Sequence, residues 1–168
     1  RLKTDATVID DLPDCVQTKE YANLTNEQAG IYEQVVNRMI NEVEQSEGIR
    51  RRGLVLSTLV KLKQVCNHPG HYAQAGHRDG VTVTESSTPG LQSARSGKSS
   101  RLMTLLEEVL ATGEKALVFT QFREMGRLLS AMIQHDLDCE TLFLHGGTPT
   151  KKRQQFIDRF QSDDGNVP

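Results

Sequence analysis

Between residues 99 and 161 the chain switches repeatedly between two periods. Leu102, Leu105, Leu106, Val109 and Leu110 recur at helical spacing and are ended by Gly113, a residue suited to the left-handed turn that closes a helix. Residues 115–120, KALVFT, follow as a continuous apolar run, the kind buried on both faces of a parallel sheet. Met125, Leu128, Leu129, Met132 and Ile133 make a second helix face. Residues 141–145, TLFLH, form a second apolar run, and a further helix reaches to about residue 161. Helix, strand, helix, strand, helix with short loops predicts an α/β wound parallel sheet with right-handed crossovers. Sheets of this kind usually have about five or six strands. The pattern therefore predicts a sheet truncated after two core strands, with another buried strand following Pro168.

Upstream the signals are helical. Residues 1–18 carry Pro and several Asp without a period and read as a linker or extended arm, and residues 19–24 (KEYANL) as a candidate strand. Thr25 and Gln28 have capping-box spacing. Ile31, Tyr32, Val35, Val36, Met39, Ile40 and Val43 then mark a helix, with Gly48 expected to close it. A second helix is expected over residues 53–66, with Val55, Leu59, Leu62 and Cys66 on one face. Asn67-His68-Pro69-Gly70 stops it, because the residue before Pro avoids helical geometry. Residues 71–98 are rich in Gly, Ser, Thr and Gln and read as an internal linker. The expected organisation is an arm (1–18), a helical element (19–70), a flexible linker (71–98) and the truncated α/β domain (99–168).

Bulk properties exclude little. A net charge of -2 advertises neither nucleic acid nor membrane, but residues 48–78 hold six Arg or Lys and no Asp or Glu. Cys15, Cys66 and Cys139 are too few and too scattered for a disulfide framework and fit a reducing compartment. No apolar run approaches a membrane span, and no basic-then-apolar leader opens the chain. The chain opens on Arg1 and stops at Pro168, so it is expected to be a fragment of something longer.

In open parallel sheets, ligands sit where strands turn into helix N-termini. Two such edges occur: Thr120-Gln121-Phe122 and His145-Gly146-Gly147-Thr148. Free backbone N–H groups and a positive helix end suit an anion, above all a phosphate. Glycine allows close approach, Thr148 is placed to cap the helix or donate to a phosphate, and Lys151, Lys152 and Arg153 add charge. The same residues also make an ordinary helix start with a solvated basic face. Gly97-Lys98-Ser99 resembles the end of a P-loop, yet Gln92 stands where a glycine is required and no strand precedes it. Ser99 or Ser100 is expected to be an N-cap. Cys66, His68, His71 and His77 match no usual zinc spacing. Arg50, Arg51 and Arg52 with Lys61 and Lys63 suit either a nucleic-acid backbone or solvent. No local carboxylate pair, Ser/His/Asp set or Cys/His set suggests catalysis.

Four strings, LVKLKQVCNHP (59–69), SGKSSRLMTLLEEVL (96–110), KALVFTQF (115–122) and LFLHGGTPTKKRQQFIDRF (142–160), together resemble the second RecA-like lobe of Swi/Snf-type ATPases. These are DNA translocases of helicase superfamily two. The resemblance covers the chain from about residue 1 to its end. It implies that KALVFTQF is helicase motif IV and LFLHGGTP the adjoining motif IVa. Their loops contact the phosphates of the tracked strand, which nominates Thr120, Gln121, Gly146, Gly147, Thr148 and Arg153 as nucleic-acid-binding residues. It further implies an intact protein that uses ATP and Mg2+, double-stranded DNA as partner, a first RecA-like lobe elsewhere in the same chain, and a cytoplasmic (nucleoid) or nuclear location. The Walker motifs belong to that first lobe, and the arginine finger to later motifs. This stretch alone is expected to hold no cofactor and to hydrolyse nothing. The rival reading is a non-catalytic α/β module binding protein or a phosphorylated small molecule. LKQVCNHP disfavours an RNA helicase lobe.

Overall fold

The computed structural model describes residues 16–76 and 92–162. They form α1 (Asn26–Glu44), α2 (Gly48–Asn67), α3 (Pro69–Gln74), a 3-10 turn (Ser93–Arg95), α4 (Gly97–Ala111), α5 (Arg123–Asp136) and α6 (Thr150–Gln161).

The expected wound sheet is absent: among the described residues there is no strand and no sheet. Residues 19–24, 115–120 and 141–145, each read as a strand, belong to neither helix nor ladder. An apolar run becomes a strand only when neighbouring backbone takes up its N–H and C=O groups. No backbone hydrogen bond joins residues 115–120 to 141–145. Their side chains are accordingly not enclosed on both faces, with Leu117 69% and Phe119 89% exposed.

Local helix signals fared better. Thr25 accepts from the Gln28 N–H while Gln28 accepts from the Thr25 N–H, completing the capping box. Gly113 (φ 70°) ends α4. Its N–H bonds the Leu110 carbonyl and that of Glu114 bonds Val109, the paired bonds of a Schellman close. Gly48 does not close α1, which ends at Glu44; it opens α2 (φ 58°), five residues before the expected start. The cap of α4 is Ser96, which accepts from the Ser99 N–H, rather than Ser99 or Ser100. His68 ends α2 as foreseen, and its Nδ1 accepts from the Gly70 N–H to start α3 at Pro69.

Two apolar clusters result. Ile31, Val35, Val65 and Tyr72 join α1, α2 and α3. Met103, Leu106, Met125, Leu128, Leu129, Met132, Ile133 and Cys139 join α4 and α5, and the predicted face of α5 is buried at every position. Fully burying one such aliphatic contributes about 1.5–3 kcal/mol.

A polar junction locks the clusters together. Gln28 is wholly buried, and its Nε2 donates to the carbonyls of Val65 (2.8 Å) and Cys66 (3.3 Å). Its Oε1 accepts from the Gly97 N–H at 3.3 Å. Ser96 Oγ donates to the Asn67 carbonyl, Thr25 Oγ1 to the Arg95 carbonyl, and Arg95 pairs with Glu27 through two guanidinium nitrogens. The stretch 71–98 thus contributes ordered structure at both ends, in α3 and in residues 92–98; residues 77–91 lie outside the described residues, as do residues 1–15.

Candidate nucleic-acid interface

The two loop edges are brought together by α5. A Cβ on Gly126 would lie 2.4 Å from Phe143 Cε2, so the glycine lets residues 141–145 press onto the first turn of α5. Ser130 and Thr141 share a short hydroxyl hydrogen bond. Lys115 reaches from the other segment to the Phe160 (2.6 Å) and Ser162 (2.7 Å) carbonyls at the end of α6, where a cation complements the helix dipole. The two segments wall one cavity of about 550 Å³, lined in part by Thr120, Gln121, Arg123, His145 and Gly146.

Of the nominated residues, Thr120, Gln121 and Gly146 meet on this cavity. Thr120 and Gln121 are exposed, and Thr120 Oγ1 accepts from the Phe122 N–H at 3.4 Å, leading the chain into α5. Gly147, Thr148 and Arg153 are used differently. Thr148 is buried, and its hydroxyl accepts from the His145 N–H at 3.1 Å rather than capping α6. Arg153 donates through Nε to the Thr148 carbonyl (2.8 Å) and through Nη2 to those of His145 (3.2 Å) and Gly146 (3.1 Å). The Gly147 N–H donates to His145 Nδ1 at 3.0 Å. Thr148 and Arg153 therefore hold the loop in shape. The α6 N-terminus carries no side-chain cap, its N-cap residue being Pro149, so its first N–H groups have no side-chain acceptor from that residue.

His145 is the centre of the local charge, a role that residue periodicity did not show. Partial burial first, then the charges of Arg123, Arg127, Arg153 and Lys152, hold its imidazole below the ordinary value. The neutral ring can accept the Gly147 N–H, and all four charges acting on it are positive. Arg123 and Arg127 lie on the polar side of α5, one turn apart. Reading α5 for its apolar face passed over them. Their signal was the charge spacing opposite that face.

Gly97-Lys98-Ser99 does not fit a nucleotide. The Gly97 N–H is taken by Gln28, the Ser99 N–H by Ser96, and a Cβ on Gly97 would stand 1.9 Å from the Asn23 carbonyl oxygen. Among the described residues no group of three His, Cys, Asp or Glu is placed to hold a metal. His68 caps α3, and His71 packs edge-on against Phe122 with ring centres 4.8 Å apart. His77 lies outside the described residues. No described helix is long and apolar enough to cross a membrane.

Residues 97–167 match the helicase conserved C-terminal domain. YwqA of Bacillus subtilis, classed as an ATP-dependent helicase/translocase, is 32% identical over 96% of this chain and 16% of its own length. The Mus musculus SWI/SNF-related matrix-associated actin-dependent regulator of chromatin subfamily A member 1 is 31% identical over 96% of this chain and 15% of its own. The chain thus spans about a sixth of these relatives. Among solved structures, the Sulfolobus solfataricus SWI2/SNF2 ATPase C-terminal domain superposes with a TM-score of 0.74 at 37% identity, covering 89% of this chain and 59% of that one. The core of the same ATPase in complex with double-stranded DNA gives 0.77 at 38% identity, covering 99% of this chain and 32% of that one. Fold, loops and relatives define a C-terminal segment of a helicase-type protein. Within that class, its relatives and the solved structures it resembles are of the Swi/Snf type.

Proposed function

We propose that this chain is a second-lobe segment of an ATP-dependent double-stranded-DNA translocase, in which it grips the sugar–phosphate backbone. The observation that carries this reading is the meeting of Thr120, Gln121 and Gly146 on one cavity beside a loop whose His145 feels the charges of Arg123, Arg127 and Lys152. Exposed amides and cations suit phosphates and carry no base code. The ATP and Mg2+ site and the first lobe belong to other parts of the intact protein, and this segment alone neither binds nor hydrolyses ATP. Its place is the nucleoid-containing cytoplasm or the nucleus. In the intact protein each ATP cycle would move these backbone contacts along the duplex.

The test is DNA-stimulated ATP hydrolysis by the full-length protein with duplex DNA, single strands and RNA. Duplex DNA should stimulate most. Changing Gln121 and Arg123 together to Ala should weaken duplex binding and flatten its salt dependence, since each lost phosphate contact lowers the slope by about 1. Unchanged DNA affinity and stimulation in that double variant would sink the assignment.

A further inference from the structure

The helix α2 is apolar on two opposite sides, and only one is covered. Thr58, Leu62 and Val65 face α1 and α3, with Thr58 and Val65 buried. The predicted face of Val55, Leu59, Leu62 and Cys66 is only half covered: Leu62 packs on the cluster while Leu59 is 51% exposed. On the far side Ile49, Leu56, Leu59 and Val60 stand exposed at spacings of seven, three and one residues, which places them on one outward stripe. Arg52 and Lys63 fall on the same stripe by their spacing, so cations interrupt and flank it. The stripe borders a groove of about 780 Å³ whose opposite wall includes Phe119, itself 89% exposed.

The charge around the stripe has one sign. Within Gly48–Asn67 there are Arg50, Arg51, Arg52, Lys61 and Lys63 and no acidic residue, the nearest upstream being the cap residue Glu47. Arg50 and Arg51 in the first turn, with Arg52 just beyond, oppose the helix dipole. An anionic neighbour would relieve that repulsion. A nucleic-acid backbone supplies anions but has no use for four exposed aliphatic side chains. An amphipathic helix with acidic flanks uses both, because anchors at i, i+3/i+4, i+7 and i+11 span about three turns, roughly 16 Å, the run from Ile49 to Val60.

We propose that the outward face of α2 is a protein-docking surface that takes an acidic amphipathic helix of a partner protein. Apolar anchors lie between Ile49 and Val60, and Arg52 and Lys63 on the stripe, with Arg50 beside it, pair with carboxylates of the partner helix.

The experiment uses the full-length protein and three fluorescent probes. These are an acidic amphipathic peptide of about 18 residues, long enough for three turns with flanks, its counterpart with Lys replacing every Glu, and a duplex of matching length. The acidic peptide should bind, weaken with salt, and lose at least about tenfold in affinity, some 1.4 kcal/mol, in both a Leu56→Asp/Val60→Asp variant and an Arg52→Glu/Lys63→Glu variant. The lysine peptide should not bind. Because these side chains are exposed, circular dichroism should be unchanged; amide shift mapping on the unmodified protein, expected at residues 49–63, gives a reading free of any folding defect. The idea is overturned by equal binding of both peptides, by shifts elsewhere, or by acidic-peptide affinity indifferent to the Leu56/Val60 change. Loss of duplex binding in that apolar variant would overturn it in favour of nucleic acid, and concentration-dependent self-association abolished by that variant in favour of a second copy. Thr120 and Gln121 also line the groove beside the stripe, so the Gln121/Arg123 variant is measured with the acidic peptide too. Duplex binding lost there with peptide binding kept, and peptide binding lost in the Leu56/Val60 variant with duplex binding kept, separate the two surfaces.

Discussion

Arg153 donates from Nε to the carbonyl of Thr148 at 2.8 Å, so a cation expected to meet a phosphate is turned onto its own loop. Its Nη2 reaches two more carbonyls, of His145 and Gly146. A planar fork serves these acceptors together, which an ammonium cannot do. Arg153 therefore shapes the loop, and any effect it has on DNA binding should run through that loop.

Arg153→Lys should behave like Arg153→Ala, both weakening duplex binding by the full-length protein about tenfold. The slope of affinity against salt should stay at the unmodified value, because no phosphate contact is lost. A slope lowered by about 1 in Arg153→Ala, with rescue by Lys, would return Arg153 to direct contact.

Gln28→Ala should destabilise the protein by about 2–4 kcal/mol in urea unfolding, since a buried group left without its partner costs about 1–3 kcal/mol. It would strip partners from the Thr25 and Gly97 N–H groups and the Val65 carbonyl together. Gln28→Glu should not rescue, because it keeps the acceptor but removes the Nε2 donor and buries a charge.

The same substitution at two glycines should act with opposite sign. Gly30 lies inside α1 with nothing within 4 Å of an added Cβ, so Gly30→Ala should stabilise by about 0.5–1 kcal/mol. Gly97 begins α4, where the Cβ would meet the Asn23 carbonyl oxygen at 1.9 Å. Backbone must move there, so Gly97→Ala should lower the melting temperature despite Ala's better helix propensity.

Acid should weaken the fold through His68. Burial, chiefly, holds its imidazole below 6.5, while its Nε2 bond to the Gln92 carbonyl opposes the shift. Nδ1 must stay unprotonated to accept from Gly70. The unfolded chain therefore takes up the proton first, and the stability is present above pH 6.5 and is lost as pH falls below it. His68→Asn keeps a cap acceptor, so its melting temperature should fall less steeply over that range, by up to one proton's worth of slope. An unchanged slope would exonerate His68.

The residues divide by how far their signals reach. The Thr25–Gln28 box, the Gly113 close, the buried face of α5 and the stop at His68 were all legible, because each is fixed within about one or two helical turns. The strings around LKQVCNHP and LFLHGGTP carried the family. The three expected strands were not legible, because a ladder is a property of a neighbour and not of the run itself. The choice of Ser96 over Ser99 as cap was equally hidden, being set by Asn67 and Gln28 some thirty and seventy residues away.

Sequence alone determined the capping box of α1, the closes at Gly113 and His68, the buried face of α5, and which family of proteins carries these loops. Tertiary structure decided which side of α2 is covered, that Gln28 serves three helices, and that Thr148 and Arg153 look inward to the loop while Thr120, Gln121 and Gly146 face the cavity. Period and capping are local energies read along the chain. Burial and hydrogen-bond partnership between distant residues are settled only when the chain has packed.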